Sequence, residues 1–284
     1  MGRRTSSNST ASSSSTGDKV DTGPSPDSGS VLSPSVSDQG TITAALRALM
    51  PTHPVCADAL AFARSRLPAT ILYHSFRVYM YAQASMRITP WTDPADPVDP
   101  SLLPSFPGIP RISPVSGECA TNTPPHVLFV VCIFHAIGLA REYDAIAEQF
   151  EIIGADVAAQ LLRSHNIPVL AVREAWLAIA LHTNPTISER MSSAARALRS
   201  AKRADFGLCP VPPADSLPGG ASSANLLKWQ LPRLEIKKQL GDVIVRQALK
   251  ESQKAPRGSW AAELVRGKEE HPDWEGINKC FNLF

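Results

Sequence analysis

The sequence predicts an all-α protein, and three observations carry that expectation. Side chains fall in amphipathic steps at helical spacing in one segment after another, with Leu72, Phe76, Tyr79, Met80 and Gln83 the clearest set. Helix punctuation is frequent: Pro54 suits a first turn, Asn166-Ile167-Pro168 a stop, and Thr186-Ile187-Ser188-Glu189 a capping box. No two strand-like runs are joined by hairpin chemistry.

In chain order, a helix is expected from Pro54 to Arg66, where Pro68 breaks it, and a second from Ala69 to about Ile88. Residues Trp91 to Pro125 carry nine prolines and no helical period, so they read as a long irregular surface insertion. His126 to Leu139 is nearly all apolar, and its length favours a buried helix over a central strand, although valine and isoleucine are frequent. Helices follow over Gly154 to Ser164 and Val169 to His182. The capping box at Thr186 opens another that runs through Ala204, with Gly207 suited to its C-terminal cap. Cys209 to Ser223 reads as a Pro/Gly/Ser loop, Ile236 to Gln253 as an amphipathic helix, and Trp260 to Arg266 as a shorter one.

Composition sets the outer limits. The first 40 residues hold 13 serines and no aromatic residue, too little apolar area to offset ordering entropy, so residues 1–40 are expected to be a disordered tail. The remainder, 41–284, is ample for one domain with a sizeable core. Net charge is +2 with no Lys/Arg-rich run, which leaves no electrostatic footprint for nucleic acid. No stretch approaches the ~18 apolar residues of a membrane helix. Met1-Gly2-Arg3-Arg4-Thr5-Ser6 fits the loose myristoylation pattern, but one acyl chain binds membranes only marginally, and a solvated tail is the simpler reading. Five cysteines, odd in number and without a CxxC pair, point to reduced thiols in a cytoplasmic or nuclear setting.

Four residues draw chemical attention. His74 sits on an aromatic helix one turn before Arg77 and Val78. His135 lies in the most apolar segment, where it is either a core histidine bonded to a backbone carbonyl or a metal ligand. Asp205, taken alone, is a helix-end aspartate paired with Arg203 or Lys202. His182 closes a helix, a place for a proton carrier in a pocket wall or for a cation at a helix C-terminus. Two imidazoles and one carboxylate suffice to hold a borderline divalent metal.

An ordered set of segments resembles the HD superfamily of metal-dependent proteins, in its cyanamide hydratase-like branch common in fungi. The resemblance runs through Tyr73-His74-Ser75-Phe76-Arg77-Val78-Tyr79, Phe134-His135-Ala136-Ile137-Gly138-Leu139 and Phe150-Glu151-Ile152-Ile153-Gly154-Ala155-Asp156. It continues in Ala178-Ile179-Ala180-Leu181-His182-Thr183, Ala204-Asp205-Phe206-Gly207 and Pro232-Arg233-Leu234-Glu235-Ile236-Lys237. It covers about residues 55 to 280, with a longer link between the two histidine helices than the family usually has.

The resemblance implies an all-α bundle with one divalent metal, zinc foremost and iron or manganese as alternatives, held by His74, His135 and Asp205. Ala136 stands where the family's ligand aspartate belongs. It further implies a lyase or hydrolase that adds water to a small nitrile-like metabolite, with His182 orienting or shuttling a proton. A catalytically impaired HD-fold protein that binds a ligand or partner is the second expectation. A phosphohydrolase is the third, with Arg77, Lys202 and Arg203 as its thin cationic support. Oligomeric state is open.

Overall fold

The computed structural model describes residues 43–88 and 123–283, which form eleven α-helices and no strand. The expected tail and nearly all of the Pro-rich insertion lie outside the described residues. The helices are α1 (Ala44–Arg47), α2 (Pro54–Arg64), α3 (Ala69–Ile88), α4 (Pro125–Phe134), α5 (Phe150–Ser164) and α6 (Val169–Ala180). They continue as α7 (Ile187–Met191), α8 (Ser193–Asp205), α9 (Gly220–Gln230), α10 (Ile236–Lys250) and α11 (Trp260–Glu270).

Helix α3 is the axis of the bundle and packs against α8 and α4. Its amphipathic steps suggested one wet face, yet residues 70–82 are buried without interruption. A helix enclosed on all sides must then satisfy whatever polar groups it carries, and this is why His74 and Arg77 have partners in the core. Helix α4 is apolar all round from Val127 to Phe134 and lies between α2, α3 and α6. It is a helix and not a strand, but it stops short of the expected end: His135 is its C-cap, and Ile137–Leu139 continues as a 3-10 turn.

Several boundaries move for identifiable reasons. Helix α5 begins four residues before Gly154, which sits inside the helix. A Cβ there would stand 2.9 Å from the Phe134 carbonyl oxygen, so the glycine permits close approach of α5 to the end of α4. The capping box at Thr186 and Glu189 forms as expected, but Ser192, with extended backbone (φ −160°), splits the anticipated long helix into α7 and α8. The Ser192 hydroxyl then caps α8 by accepting from the Ala195 amide at 3.2 Å. Gly207 has φ 67° and closes α8 as anticipated, with the Leu208 amide donating to the Arg203 carbonyl at 2.8 Å. Helix α9 is a correction, because the loop expected over Cys209 to Ser223 already turns helical at Gly220. The left-handed Gly219 starts it, and Leu227 anchors it in the core. The four described cysteines are unbridged; Cys119 lies outside the described residues. Among the described residues no helix is long and apolar enough to cross a membrane.

Candidate functional site

The three helices that carry His74, His135 and Asp205 bring them together although the residues are far apart in sequence. His74 projects from the second turn of α3, His135 from the end of α4 and Asp205 from the last turn of α8; all three are at most 1% exposed. His74 Nδ1 lies 2.6 Å from Asp205 Oδ2, and His74 Nε2 lies 3.3 Å from His135 Nε2. The His74 ring is stacked on Phe206, with centroids 4.8 Å apart, which fixes its plane.

Each imidazole is anchored through its Nδ1. That of His135 is 2.7 Å from the Cys132 carbonyl, and that of His182 is 2.6 Å from the Ile179 carbonyl. A carbonyl only accepts, so both Nδ1 atoms carry the proton and both Nε2 atoms present a lone pair. The ionised Asp205 carboxylate imposes the same tautomer on His74. The rings of His135 and His182 meet edge to face with centroids 5.3 Å apart. His182, just past the end of α6, is buried against His135 and Phe150.

Asp205 is committed in another direction too. Arg77 donates from Nε to Oδ1 at 2.7 Å and from Nη2 to Oδ2 at 2.8 Å, a bidentate grip, while Arg233 Nε stands 3.6 Å from Oδ1. The Arg77 Nη1 group donates to the carbonyls of Leu231 and Pro232 at 3.0 and 3.1 Å and so ties the α9–α10 link to α3. The aspartate does not pair with Arg203 or Lys202, as its sequence neighbours suggested. Side chains at i and i+2 or i+3 on one helix do not outcompete a guanidinium fork from the adjoining helix. Burial pushes the Asp205 carboxyl up, but the bonds from His74 and Arg77 outweigh it and hold the group well below the usual carboxylate range.

Burial lowers all three imidazoles below the ordinary histidine value, His135 and His182 furthest. Lys202 deepens the effect on each. This lysine is itself only 3% exposed, and burial, with Arg199 nearby, depresses it to about 7. Its ammonium group stands 4.9 Å over the Trp260 ring. Lys202 was expected as a partner for Asp205 or as cationic support for a phosphate, and its burial was not. Its position one turn before Asp205, three residues back on the same helix, was the available signal. Glu151, in the Phe150–Asp156 segment, is buried, and Thr183 Oγ1 donates to its Oε1 at 2.9 Å.

The donor set fits a metal in part. Two imidazole Nε2 atoms 3.3 Å apart match two ligands of one tetrahedral ion, which sit about 3.3 Å apart when each bond is ~2.0–2.1 Å. Asp205 faces the Nδ1 edge of His74, the edge away from that point, so it orients the imidazole and does not converge on the same spot. Among the described residues, no group of three or more His, Cys, Asp or Glu side chains is arranged to hold an ion.

No protein-family model matches the chain, and no curated protein is significantly similar to it in sequence.

Proposed function

We propose that this chain is a cyanamide hydratase-like lyase or hydrolase that adds water to a small nitrile-like or related metabolite at the His74–His135 centre. One observation carries the reading: two Nε2 lone pairs oppose each other at 3.3 Å in the buried interior. Lone pairs so placed repel unless a positive species lies between them. A divalent ion held by both Nε2 atoms would relieve that repulsion, at the spacing that two ligands of one tetrahedral ion take.

His74 and His135 would hold that ion, zinc foremost with iron and manganese as alternatives, and when bound it would lower the pKa of its water to about 7. The chain's own residues supply the rest. Asp205 fixes the His74 tautomer and strengthens Nε2 as a donor. Arg77 fixes Asp205. His182, with its Nδ1 tied to Ile179, offers an Nε2 that can take up or release a proton beside His135.

The test is zinc stoichiometry and urea formation from cyanamide, measured on wild type, His74→Ala and His135→Ala. The reading expects about one ion per chain, lost in either variant, together with urea from wild type alone. Metal-free wild type that stays metal-free in added zinc would overturn it.

A second reading, a catalytically impaired fold that binds a ligand or partner, draws on the double commitment of Asp205 to Arg77 and His74. Metal-free, inactive wild type is its outcome. The phosphohydrolase expectation loses its leading cation, because Arg77 is spent on Asp205 and two backbone carbonyls.

A further inference from the structure

A cavity of about 430 Å³ lies between α3, α9 and the chain around residues 211–217. That volume falls in the ~300–1,000 Å³ range of small-molecule sites. Its wall is mainly aliphatic: Val211, Leu217, Leu227 and Leu231 contribute to it, and the three leucines are at most 4% exposed. The charged residues of the lining are Arg233 and Lys228, and no Asp or Glu is among them. An apolar wall with cations and no carboxylate is complementary to an amphipathic anion.

Arg233 is the anchor. Its side chain is half exposed, and its Nε stands 3.6 Å from Asp205 Oδ1, an oxygen that Arg77 already occupies at 2.7 Å. A contact that long is no hydrogen bond, so the guanidinium keeps donors for another acceptor. Tyr81 also lines the cavity. Burial and then the Asp205 charge raise its phenol above the ordinary value, against the pull of the Arg233 guanidinium, so the hydroxyl stays protonated and able to donate. The backbone after Arg233 is unusual. Leu234 and Glu235 both have positive φ, 46° and 57°, a region that residues with a Cβ seldom enter. This turn does not serve to bury Leu234, which is 44% exposed. It reverses the chain between Arg233 at the cavity and Ile236 at the start of α10.

We propose that this cavity binds a free medium-chain monocarboxylate, with its carboxylate on the Arg233 guanidinium and the Tyr81 hydroxyl and its alkyl chain along the leucine wall. A guanidinium fork matches a carboxylate in a bidentate manner, and the aliphatic wall rewards a hydrocarbon body over a small hydrophilic acid. The site adjoins the histidine centre without including it: Leu231 and Pro232 line the cavity, and their carbonyls accept from Arg77. Binding there requires no metal at His74 and His135.

The test is calorimetric titration of the full chain with octanoate, with 1-octanol as the uncharged analogue and acetate as the analogue without the chain. Octanoate should bind saturably, and 1-octanol at least about tenfold more weakly, the scale of one hydrogen bond to a charged group. Acetate should be weaker still. Arg233→Ala should bring octanoate down to the level of 1-octanol. Val211→Asp, at an exposed position in the lining, should weaken octanoate more than 1-octanol. Any of three results overturns the proposal: no saturable binding of octanoate; equal binding of octanoate and 1-octanol, which leaves an unselective apolar patch; or octanoate binding unchanged in Arg233→Ala or in Val211→Asp. Light scattering that finds the wild type paired and Val211→Asp monomeric would overturn it too, by giving the cavity to a second copy of the chain. The valine variant keeps the question decidable if Arg233→Ala fails to fold.

Discussion

Arg77 and Asp205 form a bidentate ion pair in the core, with bonds of 2.7 and 2.8 Å and both side chains at most 3% exposed. The pair joins α3 to α8 and, through the Leu231 and Pro232 carbonyls, fixes the approach to α10. Removing one member strands a buried charge. Arg77→Met is expected to cost roughly 3–5 kcal/mol, while Arg77→Met with Asp205→Leu should recover most of that loss. Urea denaturation of the three proteins checks it; equal losses in the single and double variants would show that packing, and not the stranded charge, sets the cost.

The fold class was legible because helix period and punctuation agree over most of the chain, as in α3, whose expected and observed bounds coincide. What escaped is where tertiary contact overrides local signal. Gly154 looked like a boundary, and only the Phe134 carbonyl shows why a glycine belongs inside α5. Ser192 lies in a helix-compatible stretch, and only its extended backbone breaks it. The resemblance grouped His74, His135 and Asp205, and the structure puts them side by side, with Asp205 on the Nδ1 edge of His74 and His135 on its Nε2 edge. Which edge of the imidazole the carboxylate would face was not readable, since spacing along the chain carries no information on ring orientation. Arg77, one turn beyond His74, was visible as a cation but not as the fork that occupies Asp205.

Lys202 should be more costly than its neighbours. Burial lowers it to about 7, whereas the unfolded chain holds its proton up to the ordinary lysine value near 10.5. Between these limits the unfolded state binds more protons, so this residue makes stability rise with pH across that window. Lys202→Met should therefore raise stability at pH 7 by roughly 1–4 kcal/mol, as apolar replacement of buried ions can. The gain should shrink toward pH 10. A loss of stability at pH 7 would mean that the ammonium group has a compensating partner.

Acid sensitivity should begin in the histidine range. His74, His135 and His182 are all held neutral by burial to a lower pH than in the unfolded chain. Below about pH 6.5 the unfolded state gains protons that the fold refuses, and stability falls with a slope of up to roughly 1.4 kcal/mol per pH unit for each imidazole. The depressed Asp205 carboxyl adds a further loss below its ordinary value of 3.8. Denaturation midpoints at pH 7.5 and pH 5.5 test this. A flat profile between them would show that the imidazoles take up protons within the fold.

Gly138 holds the loop after His135 against the start of α5. A Cβ there would lie 2.1 Å from the Phe150 carbonyl oxygen, and the obstacle is backbone, which cannot swing aside as a side chain can. Gly138→Ala should destabilise by roughly 1–3 kcal/mol or more and displace His135. Weakened zinc binding in a still-folded Gly138→Ala would link the loop to the centre.

Ala136 is the position at which the centre can be completed. It is buried, follows His135 directly and has no side-chain cap bond to the 3-10 turn that it begins. In zinc-free buffer Ala136→Asp places an unpaired carboxylate in the core and should lower stability by roughly 1–3 kcal/mol. With zinc the same carboxylate stands beside the His74–His135 pair. Because an ion bound only by the folded state stabilises by mass action, about 2.7 kcal/mol at a hundred times Kd, Tm should recover as zinc is added and pass that of wild type. Urea formation from cyanamide should rise in parallel if the pocket admits that substrate. Melting curves across a zinc series decide between the readings. Zinc-dependent recovery, abolished by His135→Ala in the same background, supports an incomplete metal centre. Destabilisation that zinc does not relieve removes that support and leaves the buried histidines to the binding-module reading.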